Sequence, residues 1–354
     1  MKPRPAVRPQ LAGLRSYEAP EDGRANAVRL DLNENTAGCS PAVRRALGRI
    51  PARQIAMYPE YGRISTKLAK FFGVAPEELI LTNGADDALR VFFDAFVETR
   101  SAVVFCNPSF PMYRYYAELF GARIVAPRYS PGIQFPLSEV LRALSRKPRL
   151  AIFANPNNPT GDLLSSATLR RIIAASPRTA VVIDEAYFEF SKTSVAPWIR
   201  RYPNLFVVRT FSKAAGLAAL RLGAILGNSE TASLLRRAMP PFGINLAALV
   251  AAEASLRDRG SVRRYVRDVT SLRESFAEDL KRRGFRVFPS VGNFILVDFG
   301  EFGAAIFRRL ESRKILIRPR GDIGPGYARI SIGTPAEMAL LLAEIDRFLK
   351  RTRS

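Results

Sequence analysis

The 354-residue chain predicts an α/β fold, with a mostly parallel sheet flanked by helices in a large domain and a smaller α+β domain behind it. Three observations carry this expectation. From Leu79 to Val208, short β-branched or apolar runs alternate with helix-length segments. Several of those runs, such as Leu150 to Ala154, are apolar throughout, as strands covered on both faces are. After about Asn245 the pattern changes to a long helical stretch and then a mixture of short strands and helices. The expected division is an N-terminal arm with part of the small domain over 1–40, the large domain over 41–250 and the small C-terminal domain over 251–354.

Taken in order, residues up to about Gly23 are rich in Pro and Arg and predict an arm that carries Tyr17. Val28 to Leu32 alternates like a strand and enters the loop Asn33-Glu34-Asn35-Thr36-Ala37-Gly38. Ser40-Pro41 then starts a helix, serine as cap and proline at the first helical position. Met57 to Gly62 is an exposed loop holding Tyr58, and the helix from Ile64 to Phe72 stops at Gly73. Leu79 to Thr82, Ala102 to Phe105, Ile124-Val125, Leu150 to Ala154, Thr179 to Ile183 and Leu205 to Val208 are the expected strands of the large domain. Between the first two, Asn83-Gly84-Ala85-Asp86-Asp87 opens a helix. It suits backbone amides presented to a phosphate, and equally a plain connection capped by Asp86 or Asp87. One helical run is expected from Leu246 to about Arg283. Beyond it come strands at Phe285 to Phe288, Phe294 to Asp298, Ile315 to Ile317 and Ala328 to Ile332, with helices at Phe302 to Ser312 and Pro335 to Lys350.

Composition narrows the chemistry. Histidine is absent and the two cysteines, Cys39 and Cys106, lack metal-ligand spacing. A structural zinc site is therefore not expected, nor any other metal; Ser-His and Cys-His nucleophiles are excluded, and acid–base work falls to Lys, Asp, Glu or Tyr. The net charge of +22 is dispersed in pairs such as Arg44-Arg45 and Arg236-Arg237 on helix-like segments, so it predicts affinity for small anions and no nucleic-acid partner. No apolar run reaches membrane-spanning length and none follows the basic N-terminus as in a signal peptide, so a cytoplasmic location with no membrane partner is expected.

Three strand ends carry chemistry. Asn155-Pro156-Asn157-Asn158-Pro159-Thr160-Gly161 holds out asparagine amides on a proline-stiffened backbone. In Val181-Val182-Ile183-Asp184-Glu185-Ala186-Tyr187, Asp184 leaves a buried strand and needs a cation: a protonated pyridine nitrogen, or one of the arginines in a structural ion pair. Thr210-Phe211-Ser212-Lys213 follows an apolar strand and is trailed by Arg221. That stretch suits an aldehyde cofactor bearing a phosphate, with an amine for the aldehyde and hydroxyls and a guanidinium for the phosphate; a solvated lysine in an ordinary loop is the alternative.

The segments Asp31 to Pro41, Tyr58-Pro59-Glu60, Asn83 to Asp87, Asn155 to Gly161, Asp184 to Tyr187, Thr210 to Arg221 and Arg329 to Thr334 together resemble fold-type-I pyridoxal-phosphate aminotransferases. Their order and spacing most resemble histidinol-phosphate aminotransferases. The resemblance implies pyridoxal 5'-phosphate bound through Lys213, which also acts as the base, with Asp184 on the pyridine nitrogen and Tyr187 and Asn158 on the phenolic oxygen. It implies phosphate contacts from the amides of Ala85 and Asp86, from Thr210, Ser212 and Arg221, and stacking by Phe110. It also implies a homodimer in which Tyr58 reaches the other subunit's site. Arg329 would grip carboxylate, while Tyr17, Arg318 and Asn35 would contact substrate. Where the family usually has proline and an aromatic, this loop has Thr36-Ala37, so one aromatic wall is missing. The activity implied is amino transfer between histidinol phosphate and 2-oxoglutarate in histidine biosynthesis. A phosphothreonine decarboxylase, a broader aromatic aminotransferase and an aminotransferase-like regulator are the alternatives, the last disfavoured by the short arm before Asp31.

Overall fold

The computed structural model describes residues 5–14 and 24–353. Its centre is a seven-stranded sheet in the order Leu79–Thr82, Gly223–Gly227, Leu205–Thr210, Ala180–Asp184, Leu150–Ala154, Ala102–Val104, Arg123–Val125. All neighbours are parallel except Gly223–Gly227, which runs antiparallel to both strands beside it. Side chains alternate between two apolar layers. Val181, Ile183, Leu205 and Val207 pack on one side with Leu68, Ile172 and Leu249, while Val182, Phe206 and Val208 pack on the other with Leu89, Phe92 and Tyr113. Both faces are covered, which is why these strands carry almost no polar residues before their carboxyl ends.

The strand Gly223–Gly227 has no counterpart in the expected elements. Its flanking glycines weaken a strand signal, yet both are required by close approach. A Cβ on Gly223 would lie 2.6 Å from the carbonyl carbon of Gly84, and one on Gly227 2.8 Å from the ring of Phe206. The expected single helix after Asn245 is also corrected, because it divides into Leu246–Arg257 and Arg259–Arg282. Asp258 (φ −106°, ψ 49°) leaves helical geometry and its carboxylate accepts from the Ser261 backbone N–H at 3.4 Å, capping the second helix. At Ala85–Phe96 the cap is Gly84, at φ 83°, and neither Asp86 nor Asp87; the Asp87 carboxylate instead accepts from the Asn83 amide. Ser40 and Pro41 open Pro41–Leu47 as expected, with the Ser40 side chain accepting from Val43 N–H.

A four-stranded antiparallel sheet, ordered Arg318–Pro319, Tyr327–Ser331, Phe294–Asp298, Arg286–Phe288, builds a second core around Phe276, Phe294 and Ile330. Val28–Arg29 pairs in parallel with Ile315–Leu316, so the segment leading into the Asn33 loop is anchored on this C-terminal unit. That anchoring brings Asn33 and Arg329 over the carboxyl ends of the large sheet. No helix among the described residues is long and apolar enough to cross a membrane.

Candidate active site

A cavity of about 780 Å³ lies where the parallel strands end, closed on one side by the four-stranded unit. Ala85, Asp86, Phe110, Asn158, Asp184, Tyr187, Thr210, Ser212, Lys213, Arg221, Arg318 and Arg329 all line it. Two expected residues do not. Asn35 donates its amide to the Ala214 carbonyl (3.3 Å) and ties two loops together. Tyr58 is 76% exposed and stacks on Phe242, away from the cavity of its own chain. Tyr17 lies outside the described residues.

Lys213 follows the strand Leu205–Thr210 and reaches back over the sheet, its Nζ donating to the Leu32 carbonyl at 2.9 Å. Burial, reinforced by the positive charge of Arg329, lowers its pKa to about 8. Such an amine loses and regains a proton near neutrality, as a catalytic base must.

Asp184 is buried at the end of Ala180–Asp184. Its Oδ2 accepts from the Tyr113 hydroxyl at 2.7 Å and its Oδ1 from the Ala186 amide at 3.1 Å. Burial raises its pKa, and these two bonds oppose the rise. No described side chain forms an ion pair with it. Arg209, on the neighbouring strand, lies on the opposite face of the sheet and pairs with Glu185 at 2.7 Å. An ion pair of the kind weighed for Asp184 is thus made by its neighbour, and the Asp184 carboxyl lines the cavity without one.

Tyr187 receives two N–H bonds on its hydroxyl oxygen, from Asn33 Nδ2 at 2.8 Å and Asn158 Nδ2 at 3.3 Å. Its own O–H finds no acceptor among the described residues, so it is available to a ligand oxygen. Nothing in the sequence singles out Asn33, whose side chain holds the Tyr187 hydroxyl. It is fully buried, and Ser331, by its hydroxyl, and Asn293, by its amide, fix its orientation.

At the other end of the cavity, the helix Ala85–Phe96 begins beside Ser212 and Arg221. Arg221, at φ 54°, places Nη2 3.0 Å from Asp86 Oδ2 and Nη1 3.4 Å from Ser212 Oγ. A Cβ on Gly84 would fall 2.5 Å from that guanidinium. Glycines, amide donors at a helix N-terminus, a hydroxyl and a guanidinium together fit a phosphate. The Thr210 hydroxyl also lines the space and accepts the Ser212 amide at 3.1 Å, holding this turn in shape. Amide, hydroxyl and guanidinium groups for a phosphate, a carboxylate at Asp184 for a ring nitrogen, a hydroxyl at Tyr187 for a ring oxygen and an amine at Lys213 for an aldehyde form a set that would suit pyridoxal phosphate. Phe110 presents its ring to the same cavity.

The model of the family described as aminotransferase class I and II matches residues 25–345. Histidinol-phosphate aminotransferase 2 of Methylococcus capsulatus is 36% identical over 335 residues, covering 91% of this chain and 90% of the relative. A histidinol-phosphate aminotransferase of Geobacillus sp. is 33% identical over 360 residues, covering 97% and 98%. Among solved structures, the histidinol-phosphate aminotransferase of Sinorhizobium meliloti in complex with pyridoxal-5'-phosphate superposes with a TM-score of 0.89 at 28% identity, covering 97% of both chains.

Proposed function

The chain belongs to the class I and II aminotransferase family, and from that premise we propose that it moves the amino group of histidinol phosphate to 2-oxoglutarate in histidine biosynthesis, using pyridoxal 5'-phosphate. The observation that carries the substrate assignment is the register of two arginines. Arg318 and Arg329 stand directly opposite each other on adjacent antiparallel strands, and both line the cavity that holds Lys213. Like charges opposite one another repel, so such a pair is favoured by a doubly charged ligand between them. A phosphate monoester is that ligand, and Arg329, largely buried, grips the carboxylate of the second substrate in turn.

Pyridoxal phosphate, when bound, supplies the aldehyde that receives the amino group and a ring that takes up the electron pair left by the departing α-proton. The protein's part is to hold and move protons. Lys213 Nζ carries the proton from the substrate's α-carbon, Asp184 keeps the ring nitrogen protonated, and the Tyr187 hydroxyl with the Asn158 amide holds the ring oxygen. Arg221, Ser212 and the amides of Ala85 and Asp86 hold the phosphate. We assign the same reading a cytoplasmic homodimer, supported by the exposed Tyr58–Phe242 pair and by two free thiols, Cys39 and Cys106.

The test is a substrate screen on purified, cofactor-loaded protein, following glutamate formation from 2-oxoglutarate. Histidinol phosphate is expected to be preferred over histidinol by roughly ten- to hundredfold, the contribution of a charge-assisted contact. Arg318→Ala should erase most of that preference. Efficient turnover of aromatic amino acids with none of histidinol phosphate would overturn the assignment, and the missing aromatic at Ala37 makes that the relevant competitor.

A further inference from the structure

We propose that Tyr113 is a positioning residue of the amino-transfer site: its hydroxyl holds the Asp184 carboxylate as an anion directed at the cavity, and its ring braces Phe110. The inference rests on the reading of the cavity given above.

Tyr113 is fully buried among apolar side chains of the layer that includes Phe92, Phe93 and Ile152. A hydroxyl in such surroundings costs free energy unless it is bonded, and phenylalanine would fill nearly the same space without that cost. Among the described residues its one hydrogen bond is the 2.7 Å contact to Asp184 Oδ2, so the hydroxyl serves Asp184. The bond spans 71 residues of sequence. It joins the helix Pro111–Leu119 to the strand Ala180–Asp184.

The chemistry of the donor matters. A lysine or arginine at this point would neutralise Asp184 and compete with the ligand cation for it. A neutral O–H stabilises the carboxylate through a charge-assisted bond and leaves its full negative charge for the ring nitrogen. The available arginine, Arg209, is on the other face and committed to Glu185. Tyr113 also sits three residues after Phe110, at the start of the same helix, and meets its ring edge-on, with centroids 5.7 Å apart at 87°. One side chain therefore positions two residues that line the cavity, the acid Asp184 and the aromatic Phe110.

Removing the hydroxyl as Tyr113→Phe deprives Asp184 of one of its two donors and makes it more basic. The proton shared with the ring nitrogen moves toward the carboxylate, and the less positive ring leaves the bound chromophore titrating at higher pH. The experiment loads wild type, Tyr113→Phe, Asp184→Asn and the double variant with pyridoxal phosphate and titrates the absorbance of each with pH. For Tyr113→Phe the midpoint is expected to rise by about half to one pH unit. kcat should fall about tenfold with KM for histidinol phosphate little changed. The apoprotein's melting temperature should stay near that of wild type, since the ring remains. In the Asp184→Asn background, adding Tyr113→Phe should change the midpoint no further. An unchanged midpoint and kcat in Tyr113→Phe would overturn the proposal, as would effects that simply add in the double variant. A wild-type protein that takes up no cofactor would instead bring down the reading of the site itself.

Discussion

The guanidinium of Arg329 donates from Nη1 to the side-chain oxygen of Asn158 at 2.7 Å, and the Asn158 amide nitrogen donates to the Tyr187 hydroxyl at 3.3 Å. The arginine proposed to grip substrate thereby fixes which way the Asn158 amide faces beside Tyr187. A second Arg329 nitrogen, Nη2, bonds the Asp31 carbonyl, so its planar fork spans two segments that lie 127 residues apart in the chain.

Arg329→Lys keeps the charge and loses the fork. It is expected to slow both half-reactions, with histidinol phosphate and with 2-oxoglutarate, by roughly ten- to hundredfold each. It should also alter the bound cofactor's absorbance, because Asn158 is no longer held. Single-turnover kinetics on each half-reaction check this; impairment confined to one of them would mean that Arg329 does not serve both substrates.

Lys213 carries a pH signature that needs no substrate. Its pKa in the folded apoprotein is about 8, below the ordinary lysine value of 10.5. The unfolded chain therefore binds more protons between those two values, and the cost of burying the charged amine, up to about 3 kcal/mol, is present in full below pH 8. That cost fades as pH rises toward 10.5. The stability of the Lys213→Met apoprotein relative to wild type should thus be most favourable at neutral pH and decline across that interval. Urea melts at several pH values give the difference directly, and a difference independent of pH would contradict a depressed Lys213.

Much of this site was legible in the sequence because its parts are strand ends, where an apolar run stops at a polar residue. Asp184, Asn158 and Lys213 each announce themselves that way. What was not legible is what crosses between segments. Nothing local to Tyr113 indicates Asp184 or Phe110 as its partners. Asn33 and Asn35 share one loop, and it takes the anchoring of Val28–Arg29 on Ile315–Leu316 together with the bonds from Ser331 and Asn293 to turn Asn33 toward Tyr187. The strand Gly223–Gly227 was hidden by the very glycines that let it pass Gly84 and Phe206.

The Glu185–Arg209 pair is the mirror of the site on the far face of the sheet. Both side chains are buried, Glu185 also accepts from the Ser194 hydroxyl and the Val195 amide, and Arg209 lies 3.5 Å from the centroid of the Phe188 ring. Breaking one partner leaves an uncompensated buried charge, so Arg209→Met is expected to destabilise by about 3–5 kcal/mol. Glu185→Leu combined with Arg209→Met should recover a substantial part of that loss. Equilibrium urea unfolding of the three variants tests the expectation, and a double variant as unstable as the sum of the singles would show that the two residues are not coupled.

Tyr58 gives the last test. It stacks on Phe242 with ring centroids 4.4 Å apart, Met57 and Ile55 are exposed beside it in sequence, and Tyr58 does not line the cavity of its own chain. Exposed aromatic and aliphatic side chains gathered in this way are characteristic of a surface that another protein covers. If a second copy covers it and Tyr58 enters that copy's site, Tyr58→Ala and Lys213→Ala homodimers should each be impaired, for different reasons. In a mixed dimer, the chain with Tyr58→Ala still has Lys213 and receives an intact Tyr58 from its partner, so one native site is rebuilt; the other site lacks both. Random equimolar mixing should then restore about a quarter of wild-type activity, since half the dimers are mixed and each has one of two sites. Were Tyr58 to act within its own chain, no combination would rebuild a site and mixing would restore nothing. A Tyr58→Ala protein with full activity, or a fully active monomer, would remove Tyr58 from the site altogether.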